Sequence, residues 1–162
     1  MIGFGFHEIM EGSIERVGER FDRPFRFEVE VSTPKLAPIV LGRVAMCDAE
    51  GFLRIDGLAK NAKATGRLEM SPLIERRIRY VLDFDGEDGK RYQFDGSKRI
   101  ARVGALPHKL LKSWTTLPGT VVSSDGELWG RALLRFHLQR DLRQLLGSMR
   151  IGPANLLKAS HA

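Results

Sequence analysis

Between Glu75 and Lys98 two stretches alternate apolar and polar residues with period two, and Asp85-Gly86-Glu87-Asp88-Gly89 separates them. That combination predicts a β-hairpin. Ile78, Tyr80, Leu82 and Phe84 share one face of the first strand, and Tyr92 and Phe94 share one face of the second. Arg77, Arg79, Asp83, Arg91, Gln93 and Asp95 take the opposite face, as a sheet with one wet side requires. A chain holding this hairpin must find further strands to cover its apolar face.

The rest of the sequence supplies them. Residues 4–17 predict a first strand, bent or bulged at Gly12. Pro24 opens a second, with Phe25, Phe27, Val29 and Val31 on one parity and Arg26, Glu28 and Glu30 on the other. Residues 32–38 hold two prolines and read as a loop. Gly42-Arg43, Gly66-Arg67 and Gly130-Arg131 each precede an apolar residue and are read as strand starts, with glycine allowing a turn or bulge and arginine on the wet face. Residues 51–58 make another short strand. Residues 98–103 extend the second strand of the central hairpin, and residues 106–114 suggest a helical turn. Residues 115–122 and 127–136 predict a second hairpin turned at Ser123-Ser124-Asp125-Gly126. Leu138, Leu142, Leu145 and Leu146 recur at helical spacing and predict an amphipathic helix over 138–147. The tail is assigned to 151–162 and the single domain to 1–150.

About nine or ten short strands with hairpin-length connections point to an all-β, mainly antiparallel domain with a C-terminal amphipathic helix. Closure into a single barrel of lipocalin or calycin type removes the exposed edges, and a two-sheet β-sandwich is the alternative. At 162 residues the chain fits one domain with a sizeable core.

Short motifs recur in an order that resembles a known module. They are Phe6-His7-Glu8-Ile9-Met10-Glu11-Gly12, Ala64-Thr65-Gly66-Arg67-Leu68, the Tyr80 strand, Asp88-Gly89-Lys90-Arg91-Tyr92, Trp114-Thr115-Thr116-Leu117 and Arg140-Asp141-Leu142-Arg143-Gln144-Leu145. Together they resemble the β-rich module found alongside glucose-methanol-choline (GMC) oxidoreductases of the cholesterol-oxidase type. Trp114 departs from that pattern, because no acidic residue stands between it and Thr115-Thr116-Leu117. The resemblance implies an accessory or binding module with an oxidoreductase as partner protein. The flavin-binding chemistry is not carried here: Gly3-Phe4-Gly5-Phe6-His7-Glu8 lacks the third glycine of a dinucleotide turn and sits in a β pattern.

Specific chemistry is sparse. The four histidines have no ligand partner at metal spacing, so no metal is expected. The single Cys47 follows Val44-Ala45-Met46 and reads as an inert, partly buried thiol rather than a nucleophile. It also excludes an intramolecular disulfide. Asp83, Asp85, Glu87 and Asp88 lack the Ca²⁺-loop pattern and read as a polar hairpin tip. A net charge of +6 raises the question of nucleic acid, but the bases interleave with acids and form no single footprint. No window approaches the ~20 apolar residues of a membrane-spanning helix. With no signal-peptide pattern at the start, the expectation is a cytoplasmic protein.

One candidate site stands out. Continuing the alternation of Tyr92, Phe94 and Gly96 puts Lys98 on the apolar face, unless a bulge at Gly96 turns it back to solvent. Lys98, Tyr80, Tyr92 and Phe94 would then line the interior, with Trp114 as a plug or pocket wall. The function expected is a non-catalytic binding or accessory barrel for an apolar small molecule such as a lipid or sterol, with no cofactor and no catalytic residue. A small barrel enzyme using Lys98 or a tyrosine for acid–base chemistry is the alternative.

Overall fold

The computed structural model describes residues 2–41, 43–71, 75–99, 116–136 and 147–153. Nine strands follow one another: β1 (Ile2–Arg16), β2 (Asp22–Thr33), β3 (Ala45–Ile55), β4 (Ala59–Ser71), β5 (Arg77–Asp85), β6 (Arg91–Arg99), β7 (Thr116–Ser123), β8 (Leu128–Arg135) and β9 (Arg150–Pro153). A single turn of helix, α1 (Ala37–Val40), lies between β2 and β3.

Each strand from β1 to β8 pairs antiparallel with the next, and β8 pairs back onto β1, so eight strands close into an up-and-down barrel. The barrel of the sequence reading is therefore the one observed, and the sandwich alternative is not. Closure leaves no free edge in the ring, which removes the liability an open sheet carries. β9 adds to the start of β1, with Ile2 opposite Pro153 and Gly5 opposite Arg150. The first residues of the predicted tail thus belong to the sheet.

The central hairpin forms as its alternation requires. Phe84 faces Tyr92, Leu82 faces Phe94, Tyr80 faces Gly96 and Ile78 faces Lys98. Gly89 closes the turn with φ +78°, a conformation that costs glycine nothing. The register is unbroken through Gly96, so the bulge that would have turned Lys98 outward is not there.

Other glycines behave differently from the sequence reading. Gly51 and Gly66 lie inside β3 and β4 rather than at strand starts, so the segments read at 42–46 and 51–58 are one strand. A Cβ at Gly51 would stand 1.9 Å from the Glu28 carbonyl oxygen, and one at Gly66 would stand 1.8 Å from that of Val81. Both residues are glycine because the neighbouring backbone occupies the side-chain position. Gly12 shows the same relation to Leu133, at 2.2 Å, with no shift of register in either ladder of β1. The Gly-Arg pairs at 66 and 130 do place the arginine outward, where Arg67 and Arg131 are exposed.

The aromatic rings of the core concentrate in the half of the barrel nearest the tight hairpin turns, and residues such as Val31 and Leu68 carry the core on toward the other end. Phe25 meets Phe94 edge-on at 5.2 Å, Phe27 lies 5.8 Å from Phe94, and Phe84 stacks on Tyr92 at 5.8 Å between centroids. The opposite end receives the β2–β3, β4–β5 and β6–β7 connections, the first and last of which are long. The predicted turn at 106–114 and all of 138–147 except Gly147 lie outside the described residues.

Candidate functional site

Alternation along β1 places Phe6, Glu8, Met10 and Ile14 on the inner face, so a carboxylate enters an apolar series. Glu8 is 5% exposed, Lys98 is 9% exposed and Tyr80 is 1% exposed. β1 and β5 stand on opposite sides of an eight-stranded ring, so Glu8 and Tyr80 meet across the lumen. The Tyr80 hydroxyl donates to Glu8 Oε2, and Lys98 Nζ lies 3.7 Å from Glu8 Oε1. The Lys98 ammonium also sits 5.8 Å from the centre of the Tyr80 ring, within cation–π range.

Register explains why these groups converge. Ala45, Met70, Ile78 and Lys98 form one row across β3 to β6, and Cys47, Leu68, Tyr80 and Gly96 form the next. Small side chains on β3 and β6 leave room for the larger ones. Phe94 closes the floor. Its ring lies over Gly96 and Gly119, where a Cβ on either would approach it to 2.5 Å. The polar cluster thus sits above the aromatic core and toward the end with the long connections.

The electrostatics follow from burial. Desolvation, reinforced by the Glu8 carboxylate, holds the Tyr80 phenol well above its usual range. It stays protonated and acts as a hydrogen-bond donor. Cys47, on the same row as Tyr80, is pushed up to about 11 by burial and by the Asp48 carboxylate. A thiol so placed is a poor nucleophile, in keeping with the inert reading.

The remaining predicted residues divide. Phe94 is a core residue beneath the cluster. Tyr92 lies at the other end, where its hydroxyl donates to Asp88 Oδ2 at 2.5 Å, and burial together with that bond pushes it up to about 12. It does not join Lys98 and Tyr80. Trp114 lies outside the described residues. Glu8 was missed by the sequence reading, although its parity with Phe6, Met10 and Ile14 is the signal that marks it.

The acidic hairpin tip is satisfied within the protein: Asp88 also accepts from the Lys90 amide at 3.0 Å, Asp83 accepts from Gln93 at 2.9 Å, and Glu87 lies 3.6 Å from Lys60. On the outer wall, His7 Nδ1 is 3.1 Å from Glu30 and Nε2 is 2.9 Å from Glu28, the latter without hydrogen-bond geometry. No group of three or more metal-ligating side chains occurs among the described residues. An outer-wall groove of about 640 Å³ between Glu11, Arg26, Arg54 and Arg135 is open to solvent and encloses nothing.

Fold and site together define an antiparallel eight-stranded barrel with a lysine, a glutamate and a tyrosine buried in its lumen. No protein-family model, curated protein or solved structure matches the chain. The link to GMC-associated modules rests on the short motifs alone.

Proposed function

We propose that the chain is a non-catalytic binding barrel of lipocalin-like kind, in which Lys98, Glu8 and Tyr80 receive the polar end of an apolar small molecule such as a lipid or sterol. The observation that carries this reading is the burial of a lysine, a glutamate and a phenol together beside the apolar core. Desolvating a lysine and a glutamate costs several kcal/mol per ion, and well-packed apolar residues commonly serve stability as well or better. Recognition of a polar group is a use that apolar packing cannot supply. The aromatic packing of the hairpin half favours the cluster end for any occupant. The outer wall carries charged side chains such as Arg26, Glu28, Arg79 and Asp95 along the strands, unlike the apolar band of a membrane barrel. That supports a barrel surrounded by water, in line with a cytoplasmic location. The tyrosine form of the enzyme reading has less support, because a phenol held well above its usual range donates a hydrogen bond rather than abstracting a proton. Docking to an oxidoreductase rests on the motif resemblance only.

Native mass spectrometry of the purified protein, followed by solvent extraction, tests the proposal. The expected result is a reproducible lipid- or sterol-sized mass that the Lys98→Met variant, still folded by circular dichroism, retains poorly. A clean apo mass, with no rise in unfolding temperature on adding oleate or cholesterol, would overturn it.

A further inference from the structure

The two ends of the barrel differ in charge and in exposed apolar surface. At the hairpin end, the four tight turns and their strand ends hold eight acids, among them Asp56, Glu87 and Asp125, against Arg16, Arg20, Lys90 and Arg91. At the other end, the described connections and strand ends hold Lys35, Arg43, Arg76, Arg77, Arg99 and Arg135 against Glu75. The side chains of Lys35 and Arg43 carry no ion pair among the described residues, and no acid occurs between Thr33 and Ala45.

Exposed apolar side chains gather on the same basic rim. Of the ten exposed large hydrophobics among the described residues, six lie there: Ile2, Leu41, Val44, Met46, Met149 and Ile151, each 44–67% exposed. They follow one arc over β9, β1, the β2–β3 connection and β3. Ile151 flanks β1 opposite Phe4, and the Leu36 amide donates to the Ile2 carbonyl at 2.9 Å, which ties the connection to β1.

From this juxtaposition we infer that the rim at the long-connection end docks on an anionic lipid bilayer, with the barrel axis oriented toward the membrane. Aliphatic side chains interleaved with Lys and Arg are the pattern of an interfacial contact, in which shallow apolar insertion adds to attraction by anionic headgroups. The acidic hairpin end would be repelled by the same surface, so the charge separation orients the barrel as well as attracting it. A protein interface would favour aromatic anchors in its centre, whereas the six exposed apolar side chains on this rim, among the described residues, are all aliphatic or methionine. The inference stands on the rim alone and is independent of what the lumen binds.

Co-sedimentation with phosphatidylcholine vesicles, with and without phosphatidylserine, tests it. The full-length protein should sediment with the phosphatidylserine vesicles at low salt and be released by added salt. The Lys35→Glu/Arg43→Glu variant should partition at least about tenfold less. Leu41→Ser should also weaken partitioning with no change of charge. Lys60→Glu/Lys90→Glu, which alters net charge equally at the hairpin end, should bind as the parent does. Absence of partitioning into either vesicle, or equal loss from both charge pairs, would overturn the inference. A concentration-dependent dimer that Leu41→Ser abolishes, with vesicles ignored, would assign the rim to a second copy and overturn it too.

Discussion

Lys98 and Glu8 stand 3.7 Å apart in the lumen, each with less than a tenth of its surface exposed. Removing one partner leaves the other charge buried, which typically costs about 3–5 kcal/mol. Lys98→Met and Glu8→Leu should therefore each destabilise strongly, while the double variant should fall within about 1–2 kcal/mol of the parent, since an apolar pair of similar volume can replace a buried ion pair. Urea unfolding of the four proteins measures the coupling, and additive losses would show that the pair is not coupled. The tyrosines give a second handle, because Tyr80 and Tyr92 are the only two. Both phenols hold their proton more tightly in the folded chain than in the unfolded one, where it leaves near 10.0. Their contribution is complete below about pH 10 and is lost as pH rises through the folded values, for Tyr92 toward about 12. Ultraviolet titration should show no phenolate in the folded protein near pH 10, and stability should decline above it. Parity offered an inward Lys98 but left a bulge at Gly96 as the alternative, and the same parity could have marked Glu8. Their meeting was not legible, because Glu8 and Tyr80 belong to strands on opposite sides of the lumen, and local alternation holds no information about facing strands.

The strands themselves were read well where apolar and polar residues alternate without interruption, as in β2 and the β5–β6 hairpin. They were read poorly where glycine intervenes. A glycine that permits a turn and one that yields to a neighbouring backbone look alike in sequence. Gly89 and Gly126 are of the first kind, with φ of +78° and +84°, and Gly51 and Gly66 are of the second. The distinction sets an ordering of costs. Gly51→Ala and Gly66→Ala must push apart paired strands whose backbone lies under 2 Å from the new methyl, and each should cost about 1–3 kcal/mol or more. Gly152→Ala, with nothing within 4 Å of the added atom, should be close to neutral. Denaturant midpoints of the three variants check this order. Equal stability of Gly51→Ala and Gly152→Ala would mean that β2 and β3 separate more easily than their register implies.

For the whole molecule, the decisive contact is the seam between β1 and β8, formed by residues 11–16 and 130–135 at opposite ends of the sequence. Period-two alternation is the same in a barrel and in a sandwich, so the sequence could favour closure only through the general cost of open edges. The β1–β8 pairing decides the matter, and it also makes β1 the most heavily used strand, with partners in β2, β8 and β9. β8 is bonded on both sides, whereas β9 pairs only with β1 among the described residues and already contains Pro153 opposite Ile2. Proline is tolerated at an outer strand and disrupts an inner one, where it removes a ladder donor and strands a buried acceptor at about 1–3 kcal/mol in addition to local distortion. Ala132→Pro, opposite both Ile14 and Gly119, should therefore open the ring and abolish cooperative thermal unfolding. Ile151→Pro should retain a single sharp transition with at most a small drop in midpoint. Circular dichroism melts of the two variants distinguish the roles. If Ile151→Pro proved as damaging as Ala132→Pro, β9 would be a structural part of the closure rather than an addition to its outside, and the lumen holding Lys98, Glu8 and Tyr80 would depend on the C-terminal strand as much as on the seam.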